Sequence, residues 1–459
     1  MSKINIFWFR RDLRLEDNAG LYRALKSGVP TLCLFIFDQN ILDHLENKKD
    51  LRVDFLHNTL TDLKASLQAL NSDLVVEYGK PNEIWSKLTT TFDIENVYTN
   101  HDFEPYALTR DAQMKTFFES KNIGFKTYKD HVIFEKGEVL KDDGKPYTVF
   151  TPYSRKWKTK LESRQSKWID ENGIEQQTSY YFKPYPNEKY FHNLLNINEL
   201  KNKYEFNMPS LESMGFQKTT PVLPGKTVSM GLIKKYDETR NFPAILGTSR
   251  LGIHFRFGTI SIREKARKGQ LLNEIFLSEL IWRDFYAQIM AEFPHVIKGA
   301  FRPEYESIAW RNDEADFKKW CEGKTGYPLV DAGMRELNHT GYMHNRVRMV
   351  VASFLTKHLL IDWRWGEAYF AQKLIDFDLA SNNGGWQWAA GCGTDAAPYF
   401  RVFNPEEQLK KFDKDATYVK KWVPEFGTFN YAKPMVDHKM ARERCLVVYK
   451  AGIELGRNS

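Results

Sequence analysis

Cysteine is scarce in this sequence and nowhere paired. Cys33, Cys321, Cys392 and Cys445 lie far apart with no CxxC spacing, which argues against a zinc site or a disulfide framework and fits a reducing, cytoplasmic setting. No apolar run reaches the length of a membrane span, so no membrane partner is expected. The short run Ile4–Phe9 is followed at once by Arg10 and Arg11, which puts the charge on the wrong side for a signal peptide. Tandem repeats and low-complexity tracts are missing as well. Charge of one sign barely dominates: 66 Lys plus Arg against 59 Asp plus Glu leave +7 over 459 residues. That balance suits nucleic acid and plain solubility equally. With 42% hydrophobic and 27% charged residues the composition is that of a soluble globular protein of two or three domains.

What the chain does have is aromatic side chains: 12 Trp, 22 Tyr and 32 Phe, 14% of the total. Such rings pack cores, and they also stack on planar ligands and bases. Up to about residue 130, β-rich runs (Ile4–Phe9, 31–37, 74–78, 96–98) alternate with helical stretches (20–27, 53–70), the pattern of a doubly wound parallel sheet. The first strand runs into Arg10-Arg11-Asp12-Leu13-Arg14 instead of a glycine-rich turn, so a dinucleotide pyrophosphate has no obvious seat there. The Lys-, Pro- and Tyr-rich stretch 131–230 reads as an interdomain connection. From 231 to 459 helical periods dominate (271–292, 315–322, 329–337, 346–358, 365–375), predicting a larger all-α domain.

Four segments carry chemistry. Thr248-Ser249-Arg250-Leu251-Gly252 joins hydroxyls, a cation and a glycine, a set that can hold a diphosphate or simply cap a helix. Glu279, Trp282, Arg283 and Tyr286 fall on one helical face, suiting a flat, polar-edged ligand or an ordinary amphipathic helix with an ion pair. Asn345 and Met349 stand four apart with Arg348 on the neighbouring face. His344 has no catalytic or metal partner nearby in sequence. Asp376-Phe377-Asp378-Leu379-Ala380-Ser381-Asn382-Asn383-Gly384-Gly385-Trp386-Gln387-Trp388 is the most specific stretch, with a Gly pair that permits close approach of a ring system. Asp376 and Asp378 lack a third metal ligand, and no metal site is expected.

With these segments, and with Trp8-Phe9-Arg10-Arg11-Asp12-Leu13-Arg14, Gly323-Lys324-Thr325-Gly326-Tyr327-Pro328 and Lys433-Pro434-Met435-Val436-Asp437-His438, the sequence resembles the photolyase/cryptochrome family over essentially its whole length. Within that family it is most similar to the class I cyclobutane pyrimidine dimer photolyases. The resemblance implies a light-driven carbon–carbon lyase that repairs UV-damaged DNA as a monomer, with U-shaped FAD inside the helical domain. By matched motif, Tyr236 and Thr248, Ser249, Arg250, Leu251 and Gly252 would surround the FAD diphosphate. Arg348 would pair with Asp376, and Asp376 and Asp378 would contact the flavin edge and ribose. Asn382 would face flavin N5, where plant cryptochromes carry Asp. Trp386, Trp363 and Trp310 match the family's electron-carrying tryptophan chain.

The same resemblance places Glu279, Trp282, Arg283, Tyr286, Asn345, Met349 and Trp388 against the flipped lesion and sends Arg240, Arg346 and Arg401 to DNA phosphates. Base flipping itself is a property of the family. His344-Asn345 stands where the six-four branch carries a His-His pair. A cryptochrome-like photoreceptor is the rival expectation, against which stand Asn382, the Trp282 and Trp388 pair and the short tail after Lys439–Ala451. Gly252 and Tyr342 replace Ser and Trp of some relatives. Asp102-Phe103-Glu104-Pro105-Tyr106 resembles the deazaflavin or flavin antenna branch, with methenyltetrahydrofolate as the alternative second chromophore.

Overall fold

A computed structural model describes residues 3–170, 172–199, 204–219 and 223–458. Strands β1 (Ile4–Phe9) and β2 (Thr31–Asp38) are buried at every position, which explains their uninterrupted apolar sequence: a parallel strand covered on both faces has no polar side. With β3 (Leu74–Gly79), β4 (Ile94–Asn100) and β5 (Gly124–Tyr128) they form an all-parallel sheet in the order β3-β2-β1-β4-β5. Helices α1 (Ala19–Lys26), α2 (Leu51–Gln68), α3 (Pro81–Thr91) and α4 (Pro105–Glu119) alternate with the strands. Ile6, Trp8, Leu34, Trp85 and Phe118 are the centre of their shared core. The fold class read from the sequence is therefore the observed one.

The chain divides into two compact units that interleave in sequence. One comprises Met1–Glu135, Lys158–Lys226 and Leu251–Lys268, the other Lys136–Trp157, Thr227–Arg250 and Gly269–Ser459. The stretch expected as a connection carries α5 (Phe150–Glu162) and an antiparallel hairpin of β6 (Gln165–Ile169) and β7 (Glu175–Ser179).

The second unit is helical. Its main helices are α6 (Glu274–Glu292), α7 (Pro328–Thr340), α8 (Asn345–Ser353), α9 (Trp363–Lys373), α10 (Leu379–Ala390), α11 (Pro405–Phe412) and α12 (His438–Asn458). Two of the expected helices are broken. The period 271–292 is interrupted at Asn273, whose side chain accepts from the amides of Ile275 and Phe276 and so starts α6 afresh. The period 346–358 leaves α-geometry after Ser353 and continues as a π-turn, Phe354–His358, buried throughout. A core of Trp320, Val347, Val350, Phe354, Trp363 and Trp386 lies among these helices.

Candidate functional site: a cavity in the helical unit

A cavity of about 410 Å³ opens among α6, α8, α9 and α10. Each wall is set by a local cap. Asp378 accepts from the amide and hydroxyl of Ser381 at 3.0 and 2.9 Å and begins α10. His344 begins α8 by accepting the Arg346 amide at 3.2 Å, and Asn273 begins α6.

On the α6 wall stand Glu279, Trp282, Arg283 and Tyr286, the face that the three- and four-residue spacing predicts. Asn345, Arg348 and Met349 come from α8, while Asp376, Asp378, Asn382, Trp386 and Trp388 complete the opposite side, with Arg240 at the rim. Ala352, Phe370, Leu374, Phe377, Ser381 and Gly385 also line it. Phe377, Ser381 and Gly385 belong to the stretch singled out in the sequence, whereas Ala352, Phe370 and Leu374 were not, because apolar residues in a helix signal only core packing.

Several expected site residues lie off the lining. Tyr236 begins the short helix Tyr236–Thr239 and meets Phe276 edge-on. Thr248 reaches the hydroxyl of Tyr342 at 3.4 Å, and the Arg250 guanidinium lies 4.7 Å from the Tyr342 ring centre. Leu251 and Gly252 fall in the other compact unit, with Ser249 just before the break. Leu251 stands at the start of the helix Gly252–Phe257, and Arg250 has φ of +52°. Arg346 donates to Asn241 and lies over Phe412, and Arg401 lies over Phe403. Among the described residues no direct ring contact joins Trp386, Trp363 and Trp310. Trp386 packs on Phe370 and Trp320, while Trp310 is edge-on to Tyr449.

The electrostatics concentrate positive charge beside the cavity. The Arg348 guanidinium grips Asp376 with bonds of 2.9 and 3.1 Å. Burial alone would lower its pKa, and Asp376 outweighs that and raises it. Arg240 pairs with Glu279 at 2.5 Å. Arg250 and Arg346 have no carboxylate partner among the described residues. Burial, reinforced by Arg348, Arg250, Arg346 and Arg240, pushes His344 down to about 4. Its Nε2 is buried without a partner.

Asn382, which lines the cavity, is fixed by donating its Nδ2 to the Glu367 carbonyl at 3.1 Å. Burial lifts the Glu367 carboxyl to about 7 despite a bond from Asn383. Asn383 and Gln387 both donate to the Val296 carbonyl, at 3.0 and 2.9 Å, so an amide ladder pins α10. The two glycines of that helix have different duties: a Cβ on Gly384 would run into the Tyr286 ring, whereas one on Gly385 would meet nothing within 4 Å.

A cavity with apolar walls and a few convergent polar groups, with the Arg250 guanidinium unpaired by any carboxylate among the described residues beside it, suits an anionic ligand with a flat ring system. Residues 276–430 match the FAD binding domain of DNA photolyase, and residues 5–170 match the DNA photolyase domain. A deoxyribodipyrimidine photo-lyase of Synechococcus sp. is 35% identical over 97% of this chain and 96% of its own length. The chain belongs to the DNA photolyase family. Among solved structures, a class III photolyase from Agrobacterium tumefaciens superposes with a TM-score of 0.82 at 31% identity, covering 99% of this chain and 98% of that one. An archaeal photolyase from Sulfolobus tokodaii with two FAD molecules gives 0.78 at 33% identity, covering 97% and 99%.

An open parallel sheet offers a ligand position where the strand order reverses, here between β1 and β4. Arg10, Arg11, Asp12, Asn100, His101 and Asp102 are gathered there. Arg11 reaches Asp102 at 3.1 Å and Glu104 at 2.7 Å, and the Tyr106 hydroxyl donates to Asp38 at 2.5 Å. The space left is about 10 Å³, room for about one water.

Proposed function

We propose that the protein repairs cyclobutane pyrimidine dimers in UV-damaged DNA with light, as a deoxyribodipyrimidine photo-lyase of the class I type. The observation that carries this is one cavity lined by both sets of expected residues: the FAD set (Arg348, Asp376, Asp378, Asn382) and the lesion set (Glu279, Trp282, Asn345, Met349, Trp388). Arg250, Thr248, Ser249 and Tyr236 would hold the FAD diphosphate. Arg348 and Asp376 would hold the ring edge, and Asp378 the ribose.

Bound FAD, reduced and excited by blue or near-ultraviolet light, supplies the electron that opens the cyclobutane ring and then takes it back. Asn382 offers an oxygen, the acceptor that the N–H of a reduced flavin ring requires. Trp282 and Trp388 wedge the flipped dimer between aromatic surfaces. Glu279, steadied by Arg240, hydrogen-bonds the pyrimidine edge and stabilises the negative charge that the dimer acquires. Arg346 and Arg401, with Arg283 and Tyr286 nearer the lesion, place the DNA backbone. Trp310, Trp363 and Trp386 would pass an electron inward during photoreduction, with Trp386 at the cavity.

The protein would act as a cytoplasmic monomer; no helix among the described residues is long and apolar enough to cross a membrane. The test is loss of thymine dimers from a synthetic oligonucleotide under blue light, with reductant and a dark control. Light-dependent restoration of intact thymines is expected. No repair by a flavin-loaded, photoreducible protein would overturn the proposal in favour of a cryptochrome-like photoreceptor or the six-four lesion.

A further inference from the structure

Trp282 is the lesion-facing ring with the closest aromatic partner, and that partner is a residue the sequence motifs do not include. Phe150, the first residue of α5, lies face to face with the indole, ring centres 3.7 Å apart and planes within 6°. The other neighbours of Trp282 approach differently: Phe285 meets it edge-on at 5.6 Å and Tyr286 is tilted at 5.4 Å. A separation of 3.7 Å is van der Waals contact, so no base can slide between the two rings. One indole face is thereby closed.

Phe150 is itself held in place. Its ring meets Phe285 edge-on at 5.8 Å, and its amide donates to Asp395 Oδ2 at 3.4 Å. Asp395 sits at φ of +48°, five residues beyond the end of α10, the helix that carries Trp388. The backing ring is thus tied to the segment that follows the second wedge.

We infer that Phe150 is a positioning residue for lesion recognition: by occupying one face of Trp282 it locks the indole so that only its other face receives a flipped pyrimidine dimer. The inference rests on the proposed function and deepens it. An unbacked Trp282 could rotate about its side-chain bonds or accept a base on either face, and ordering it on binding would cost affinity for the lesion. Affinity for undamaged DNA, which comes from phosphate contacts, would not change.

The test compares the FAD-loaded wild type with Phe150→Ala, Phe150→Leu and Phe150→Tyr, measuring Kd for a thymine-dimer oligonucleotide and for its undamaged twin. Phe150→Ala should weaken dimer binding roughly three- to tenfold, the worth of one aromatic pair, with undamaged binding, flavin content and repair yield at saturation unchanged. Phe150→Tyr should restore discrimination and Phe150→Leu, which fills volume without stacking, should not. In a Trp282→Ala background the Phe150→Ala change should have no further effect. Equal rescue by Leu, an effect persisting without Trp282, or unaltered discrimination in Phe150→Ala would overturn the inference. Should Phe150→Ala not fold, the Leu and Tyr variants decide. A wild type without preference for the dimer would instead sink the functional proposal beneath it.

Discussion

Arg240 and Glu279 show how a single pair is shared between stability and chemistry. The 2.5 Å contact is partly exposed, with side-chain exposures of 21% and 31%, so it adds little to folding. Its value is in orienting a carboxylate at the cavity. Glu279→Ala should therefore leave flavin content and melting temperature close to wild type while lowering the repaired dimers per absorbed photon several-fold. An unchanged yield would remove the role. His344 makes the opposite case, a side chain outside the cavity lining that matters to the fold. Its folded value of about 4 lies below the ordinary 6.5, so the unfolded chain takes up the proton first. The stability it contributes is present above pH 6.5 and is lost as pH falls towards 4. The loss is on the order of 3 kcal/mol. His358, pushed down to about 3 by burial and then by His438, adds to the same slope. Glu367, raised to about 7, opposes it, contributing stability below pH 4.5 that fades as pH rises to 7. Melting curves across pH 4–7 for wild type and His344→Asn isolate the single residue: Asn still caps α8 and does not titrate, so the variant should lose less on acidification. Equal losses would refute this assignment.

The helices around the cavity owe their relative placement to α10. Its amide ladder to the Val296 and Glu367 carbonyls and the bare backbone at Gly384, where the Tyr286 ring of α6 sits, hold two walls together. Gly384→Ala should cost about 1–3 kcal/mol through overpacking, read as a lowered melting temperature. Gly385→Ala meets open space in the protein itself and should raise apoprotein stability by up to about 1 kcal/mol through helix propensity. If the flavin ring presses on that backbone, the same variant loses bound FAD. Normal flavin occupancy in Gly385→Ala would show that the ring does not approach there. Elements also explain what was illegible. β5 is an edge strand with polar, exposed positions, and the β6–β7 hairpin is largely exposed, so neither carries a buried apolar run. The π-turn at Phe354–His358 hid inside a helical period because Phe354 and Leu355 continue the apolar pattern of the preceding helix and a change from α to π winding leaves no residue signature.

For the whole molecule, a net charge of +7 matters less than where the guanidiniums gather. Binding of a dimer oligonucleotide should weaken with salt, and two or three phosphate contacts by Arg346, Arg401 and a further cation predict roughly a ten- to fortyfold loss between 50 and 200 mM. A flat salt dependence would exclude a phosphate-led interface. The sequence by itself determined the parallel α/β and all-α composition, because burial on both faces of β1 and β2 writes continuous apolar runs and helices write their period. It also determined the family, because Asp376 to Trp388 combines residue types that packing alone does not require. Only the tertiary structure decided that segments distant in sequence form common units, that Arg240 is committed to Glu279, that Trp386 abuts Trp320, and that Phe150 backs Trp282. Those are contacts between residues tens to over a hundred positions apart, and no local period or spacing records which distant side chain fills the space beside a given ring.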